Sequence, residues 1–343
     1  MKTRFFLLFV CFTLFACSLF SPPVARDAPS LPAEFLSAPK PVSPDENVPT
    51  PVWEEILLDS ARDGIAQVEP VPRPDFPPPS VEPSIPLPPL ADVLPLPVGT
   101  VNVLLLGSDE RGPFSGVRTD SILLVSFHPK RGKVSMISFP RDLYVYIPGW
   151  TVRRINEAYQ HGGFELLADT FDYNFGIRPE YFVLVNFEAF TQAVDSMGGI
   201  DVQVAKALRE GDYSVKPGLV HMDGEMALWY VRSRYTTSDF DRMRRQQEAL
   251  LAIFQRMISL DVLKQIPQMY AVYEDSALTN IGLQESLAWA GVAGRIVDDT
   301  DSLHTLTIDR EYVTPFRTPA GAQVLLPNPE AIRSLFKETF QVR

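Results

Sequence analysis

Charged side chains gather at the ends of apolar runs in this chain: Asp109, Arg111, Arg118, Asp120, Arg141, Arg232, Arg234, Asp239, Arg242 and Arg245, with the amide Gln246. A planar guanidinium grips phosphate oxygens through two parallel hydrogen bonds, so clustered arginines suit a pyrophosphate. Asp109 and Asp120 offer hard oxygen ligands for Mg²⁺, which takes one or two carboxylates and completes its shell from phosphate oxygens and water. Arg242, Arg245 and Gln246 fall at i, i+3 and i+4, on one face of a helix whose N-terminus adds backbone donors for an anion. Phosphoryl transfer requires these parts, because its catalysis is mainly positioning and charge stabilisation. Arg141 and Asp120 are the central catalytic candidates, and Asp239 is a candidate base for an attacking hydroxyl. Taken singly, each group is more simply a surface ion pair, a strand-end cap or a solvated helix face. The concentration of arginines in an acidic chain is what points to a site.

Positioning them falls to three short β-rich runs: Val101–Leu106 leading into Gly107-Ser108-Asp109, then R-T-D-S-I-L-L-V-S-F, then K-V-S-M-I-S-F-P-R-D. Each is a strand by length and composition, with charge at one end. Phe164, Leu167, Ala168 and Phe171 keep helical spacing until Asn174 and Gly176 stop it. Tyr181–Phe187 fits a buried strand, Glu188–Met197 a helix ended by Gly198-Gly199, and Ile200–Val204 another strand. Gly224–Tyr230 fits a short helix ending in Arg232-Ser233-Arg234. Ser238 or Asp239 caps a long helix over Arg242–Leu260, whose Leu250, Ile253, Phe254 and Met257 face the core. Helices near Val262–Tyr273 and Leu283–Val297, a strand at Leu303–Ile308 and a last helix after Asn328-Pro329 complete the pattern. Strands alternating with helices predict an α/β fold, an αβα sandwich with a central mixed β-sheet flanked by helices.

The 343 residues carry a net charge of −11, which disfavours nucleic acid as a partner because such binding rests on Lys and Arg. Both cysteines, Cys11 and Cys17, lie in the first twenty residues, so the folded part has neither a disulfide nor a thiolate metal site. The four histidines are scattered without metal-binding spacing, so zinc is not expected. Lys2 and Arg4 precede an apolar run from Phe5 to Phe20, an export signal by its shape. Within it, Leu14-Phe15-Ala16-Cys17 resembles a bacterial lipobox with Cys17 as the lipidated residue; the alternative is an uncleaved signal anchor. Residues 21–98 hold about two-thirds of the 32 prolines, a composition that favours extended segments and predicts a disordered linker. The expected organisation is an anchor over 1–20, a spacer over 21–98 and a catalytic domain over 99–343. That domain would stand at the extracytoplasmic face of the cytoplasmic membrane.

G-S-D-E-R, R-T-D-S, S-F-P-R-D, R-I-N-E-A-Y, V-D-S-M-G-G-I, D-G-E-M-A-L-W-Y-V-R-S-R and D-F-D-R-M-R-R-Q-Q occur in the order seen in the LytR-CpsA-Psr family, which the chain resembles over roughly residues 101–258. The resemblance implies an enzyme that moves a glycopolymer from a polyprenyl-pyrophosphate carrier to a peptidoglycan acceptor, forming a phosphodiester. It implies Asp109 and Asp120 as Mg²⁺-associated aspartates, and Arg118, Arg141, Arg232, Arg234 and Gln246 as the pyrophosphate-binding set. Asp239 and Arg242 match the adjoining polar loop, and Arg242 joins that set through its helix face. It also implies a greasy tunnel for the polyprenyl tail, which helices carrying Phe164, Phe171 and Phe254 line unless those rings are ordinary core. Two features depart from the pattern: the lipid anchor with its long proline linker, and Phe240-Asp241 where a glycine is common. The same residues are compatible with a lipid-binding module without chemistry, or with a pyrophosphatase in which water replaces the sugar hydroxyl.

Overall fold

A computed structural model describes residues 73, 75–108, 117–128, 133–233, 238–259, 277–282, 284, 285, 289 and 303–340. The three charged-end runs are β1 (Val101–Ser108), β2 (Ser121–His128) and β3 (Lys133–Phe139), which pair antiparallel in sequence. β6 (Tyr181–Asn186) adds parallel to β1, and β12 (Leu303–Thr307) adds parallel to β3. The two-residue β11 (Leu278–Thr279) closes one edge, giving the order β11-β6-β1-β2-β3-β12. The sheet is therefore mixed, with helices on both faces, as expected of an α/β sandwich.

Two-sided burial explains why these strands read as nearly unbroken apolar runs. Val103 and Leu123 point into one core, while Leu104, Leu106, Ile122 and Leu124 point into the other. The second core holds α1 (Asn156–Phe175) and α5 (Pro329–Phe340). Gly162 and Gly163 break α1 into two helical pieces, and Gly176 ends it in the left-handed conformation at φ 70°. Phe164 and Phe171 pack in this second core, against Phe182 and Phe139. The first core is covered by α2 (Phe187–Ser196), α3 (Gly224–Arg232) and α4 (Asp239–Ser259). Asn186 caps α2 by accepting from Ala189 N at 2.8 Å, and Asp223 caps α3 through Met226 N at 2.8 Å. At α4 Ser238 and Asp241 cap reciprocally, Asp241 N donating to Ser238 Oγ at 3.2 Å and Ser238 N to the Asp241 carboxylate at 3.3 Å. This box starts the helix three residues before the expected Arg242.

Several elements had no sequence signal of comparable strength. The hairpin of β4 (Tyr144–Ile147) and β5 (Thr151–Arg154) follows directly on the S-F-P-R-D stretch. β10 (Gly218–Met222) pairs with β7 (Ile200–Val204), itself a strand expected from the sequence, while β8 (Leu208–Glu210) pairs with β9 (Tyr213–Val215) and β13 (Val313–Arg317) with β14 (Gln323–Pro327). The expected helix over 262–273 lies outside the described residues, as does nearly all of that over 283–297. Among the described residues no helix is long and apolar enough to cross a membrane.

The spacer expectation needs correction at its C-terminal end. Residues 75–98 run as an extended strap on the domain, with Leu94 buried in the second core and Ile85 packed against the cluster of Tyr144, Tyr146, Val152 and Val324. Prolines keep this segment from folding on itself, but not from lying on a surface built by other residues.

Candidate functional site

Strand register gathers the charged ends. Gly107 lies opposite Ser121, Ile122 opposite Phe139, and Ser108 beside Asn186. The end of β1, the start of β2, the end of β3 and the start of α2 therefore share one edge of the sheet. Asp120 is fixed there by its backbone N–H, which donates to Gly107 O at 2.8 Å. Arg141, two residues past β3, donates through Nη1 to the Asp120 carboxylate, and its Nε stands 3.7 Å from Asp142. Arg154, at the end of β5, places its Nε 2.9 Å from the other Asp142 oxygen and donates to Gln323 O at 3.0 Å. Burial opposes the charge on Arg141, but the Asp120 hydrogen bond and the carboxylates of Asp120, Asp142 and Asp239 outweigh it and hold its pKa above the ordinary value. Arg141 is a permanent cation at this edge.

The other wall comes from α3 and α4. Arg232, the last residue of α3, lies with its guanidinium carbon 4.0 Å from the centre of the Phe187 ring. Gln246 accepts from Ser121 Oγ at 3.1 Å and donates to Val231 O at 3.4 Å, so it ties α4 to both β2 and α3. Arg242 is only 4% exposed and pairs with Asp239 at 3.0 Å.

These groups surround one cavity of about 970 Å³. Five guanidiniums line it, those of Arg118, Arg141, Arg154, Arg232 and Arg242, together with the carboxylates of Asp120, Asp142, Glu157, Glu210 and Glu225. The same cavity continues over apolar side chains between the sheet and the helices of the first core, among them Leu105, Leu123, Val185, Phe190, Leu250 and Ile253. Buried polar atoms on its wall, Asn156 Oδ1, Ser233 Oγ and Trp229 Nε1, have no hydrogen-bond partner among the described residues. Buried polar groups are ordinarily paired, so this wall suits a polar ligand.

The structure thus brings together Arg118, Asp120, Arg141, Arg232, Arg242 and Gln246 from the sequence reading. Asp239 touches Arg242 but does not line the cavity, and its side chain is 40% exposed. Arg245 leaves the set: it is 2% exposed, and it donates from Nε to Tyr230 O at 2.8 Å and from Nη2 to Ser233 O, away from the cavity. Its role is to hold the C-terminal end of α3, which carries Arg232. Phe164 and Phe171 line the opposite core and not the cavity, whose rings are Phe187, Phe190, Tyr213 and Trp229. Asp109, Arg111, Arg234 and Cys17 lie outside the described residues, as does the Phe254 side chain.

Sequence reasoning gave no site role to Asp142, Arg154, Asn156 or Gln247, although Asp142 stood at the end of the third run. All four sat inside the S-F-P-R-D, R-I-N-E-A-Y and D-F-D-R-M-R-R-Q-Q motifs, so motif membership was their signal. Gln247 donates to Ser138 Oγ at 2.8 Å and Leu306 O at 2.6 Å, pinning α4 to β3 and β12, and nothing in its spacing indicated this. For a divalent cation held mainly by phosphate oxygens, the donor chemistry is adequate: Asp120 puts a hard carboxylate on the cavity wall beside the arginines.

A family model described as LytR_cpsA_psr matches residues 91–339. Among curated relatives, the regulatory protein MsrR of Staphylococcus aureus is 32% identical over 251 residues, which cover 70% of this chain and 75% of that protein. The polyisoprenyl-teichoic acid–peptidoglycan teichoic acid transferase TagU of Oceanobacillus iheyensis is 33% identical over 193 residues, covering 54% of this chain and 60% of that protein. Among solved structures, TagT bound to LIIa-WTA superposes with a TM-score of 0.58 at 27% identity, over 71% of this chain and 90% of that one.

Proposed function

The chain belongs to the LytR_cpsA_psr family, and from that premise we propose that it transfers a glycopolymer from a polyprenyl-pyrophosphate carrier to a hydroxyl of peptidoglycan. The observation that carries this reading is the continuity of one cavity from five guanidiniums into an apolar chamber. Such a space matches a ligand with an anionic head and a long apolar tail. A pyrophosphate diester carries two negative charges, and the guanidiniums of Arg118, Arg141 and Arg232 on the cavity wall offer paired donors for its oxygens. The transferase named TagU and the TagT structure with LIIa-WTA support a wall glycopolymer as the cargo.

In the proposed reaction the acceptor oxygen attacks the glycan-side phosphorus, and the bond from that phosphorus to the bridging oxygen breaks. Polyprenyl phosphate leaves with the bonding electrons, and a phosphodiester joins glycan to acceptor. Arg118, Arg141 and Arg232, with Arg234, bind the phosphoryl oxygens and stabilise the charge that develops on them. Arg242 and Gln246 support that set from α4. Asp239, outside the cavity lining and half-exposed beside Arg242, would take the hydroxyl proton of an acceptor that approaches from solvent. Mg²⁺ would be held by Asp120 together with Asp109, and when bound it neutralises phosphoryl oxygen charge. Residues 1–20 would tether the protein outside the cytoplasmic membrane, with Cys17 as the lipidated residue.

The test uses the full chain in detergent, with a polyprenyl-pyrophosphate oligosaccharide and peptidoglycan fragments, with and without Mg²⁺, and products read by mass spectrometry. A phosphodiester conjugate that disappears on chelation is expected. Bound lipid with no new product would leave a binding module in place of an enzyme, and released sugar phosphate alone would make it a pyrophosphatase.

A further inference from the structure

The proline strap is seated by specific bonds over its whole length. Tyr146 Oη donates to Pro77 O at 2.6 Å, and Gly149 N donates to the same carbonyl at 3.1 Å. Val81 N donates to Trp150 O at 3.0 Å, the Ser84 and Tyr144 hydroxyls meet at 2.8 Å, and Tyr173 Oη donates to Pro88 O at 3.0 Å. Ala91 N donates to Tyr173 O and Leu94 N to Gly176 O, both at 2.9 Å. At its start Arg73 reaches the Asp172 carboxylate at 2.9 Å and Ala91 O at 2.6 Å. A proline-rich segment leaves its carbonyls outward and loses little entropy on docking, which is why aromatic troughs with hydroxyl donors recognise such segments. Gly176 is part of the seat, since a Cβ there would stand 2.0 Å from Asp92 O.

What the strap holds is the β4–β5 hairpin. Two four-residue strands are marginal by themselves, and the outer face of this pair, Tyr144, Tyr146 and Val152, is buried in a small cluster that includes Ile85 of the strap. The strap contacts the turn end of the hairpin at Gly149 and Trp150. The open end leads directly to the cavity, because Tyr144 pairs with Arg154 and Asp142 lies two residues before Tyr144. Asp142 in turn bridges Arg154 and Arg141.

We infer that Arg73 and residues 75–98 are a positioning element of the site: seated in their trough, they fix the hairpin that delivers Asp142 and Arg154 to the cavity and orients Arg141. This rests on the reading of the cavity as a pyrophosphate site.

The test changes only the strap. Val81→Pro and Ala91→Pro delete two of its backbone donors, Arg73→Ala deletes its clamp, and none of the three residues lines the cavity. In the full chain carrying all three, hydrogen exchange at Gly149 N reports seating, and titration with farnesyl pyrophosphate in chelator reports the site. Loss of Gly149 protection with at least fivefold weaker binding is expected, and a synthetic peptide of residues 73–98 at millimolar concentration should restore both. Binding that changes less than twofold once Gly149 is unprotected would make the strap a passenger. Persistent protection at Gly149 would show that these bonds do not seat it, and a binding loss the peptide leaves unrepaired would point to damage in the domain; either result overturns the inference. If the unaltered chain itself fails to bind the probe, the pyrophosphate reading of the cavity falls first.

Discussion

Replacing Arg141 with Ala should do more than remove one cation. In the folded chain its guanidinium is bonded to Asp120 and faces Asp142, so it also masks two carboxylates on the cavity wall. A charge-assisted hydrogen bond to a phosphate is worth about 1.5–3 kcal/mol. The Asp120 charge, once unmasked and roughly 5 Å from a bound anion, opposes it by about 3 kcal/mol at an effective dielectric near 20. The two effects together predict a loss of farnesyl pyrophosphate affinity of roughly a thousandfold to ten-thousandfold, at about 1.4 kcal/mol per tenfold. Adding Asp120→Asn should then recover about a hundredfold, because only the unmasking contribution is reversed. Calorimetric titration in chelator separates this from any metal effect. Both side chains are 22% exposed, so the pair itself is worth about 0–1 kcal/mol and Tm should fall by no more than about 4 °C. A double variant that binds no better than Arg141→Ala alone would refute the masking role assigned to Arg141.

Two further predictions concern stability. Burial outweighs the bonds from Asn102 and pushes the Glu180 carboxyl from 4.5 up to about 7. The folded chain then binds a proton that the unfolded chain has released, so stability falls as pH rises from about 4.5 to 7. Glu180 is solvent-exposed as a residue, so water screens much of this effect, and Glu180→Gln should gain about 1 kcal/mol over the parent at pH 8 and nothing at pH 4, read by urea unfolding; an equal gain at both pH values would defeat the assignment. Ser238→Ala should cost about 1 kcal/mol by removing the α4 cap. The Ser238 hydroxyl holds Asp241 at about 2, against an ordinary 3.8, so the contribution is complete above pH 4 and lost as pH falls through 2. A thermal-melt difference that persists at pH 2 would show that Asp241 is not part of it.

The central strands and the flanking helices of the domain were legible because the strands are short, unbroken apolar runs and the helices carry signals at their ends. β1, β2 and β3 are apolar on two faces, and α1, α2 and α3 end at glycines or begin at Asn and Asp caps. Register then converted sequence-distant motifs into neighbours, so Asp120, Arg141 and Gln246 could be named before their contacts were known. Arg245 shows where that method fails. Spacing placed it on the face of Arg242 and Gln246, yet it lies in the helix interface with its donors on backbone carbonyls. Burial pushes its pKa below the ordinary value, the mark of a structural cation held where water cannot reach it. A helical face about 100° wide can serve a cavity with one residue and a core with its neighbour, and only packing decides which.

The strap failed for a different reason. Composition says that residues 21–98 cannot build a core of their own, and over 75–98 that is true: few of their side chains are buried. It does not follow that they are a spacer. Folding asks whether a segment finds partners anywhere in the chain, and here the partners are Tyr144, Tyr146, Trp150 and Tyr173, fifty or more residues away. None of those rings has a sequence pattern of its own, because β4 and β5 are too short to show alternation and Tyr173 falls at the end of α1. Two weak signals, a proline run and a scatter of aromatics, become one strong structure only when they meet. The boundary of the functional unit therefore lies nearer Arg73 than Gly99, and a protein truncated at Gly99 would lack the bonds that seat the hairpin beside Arg141 and Arg154.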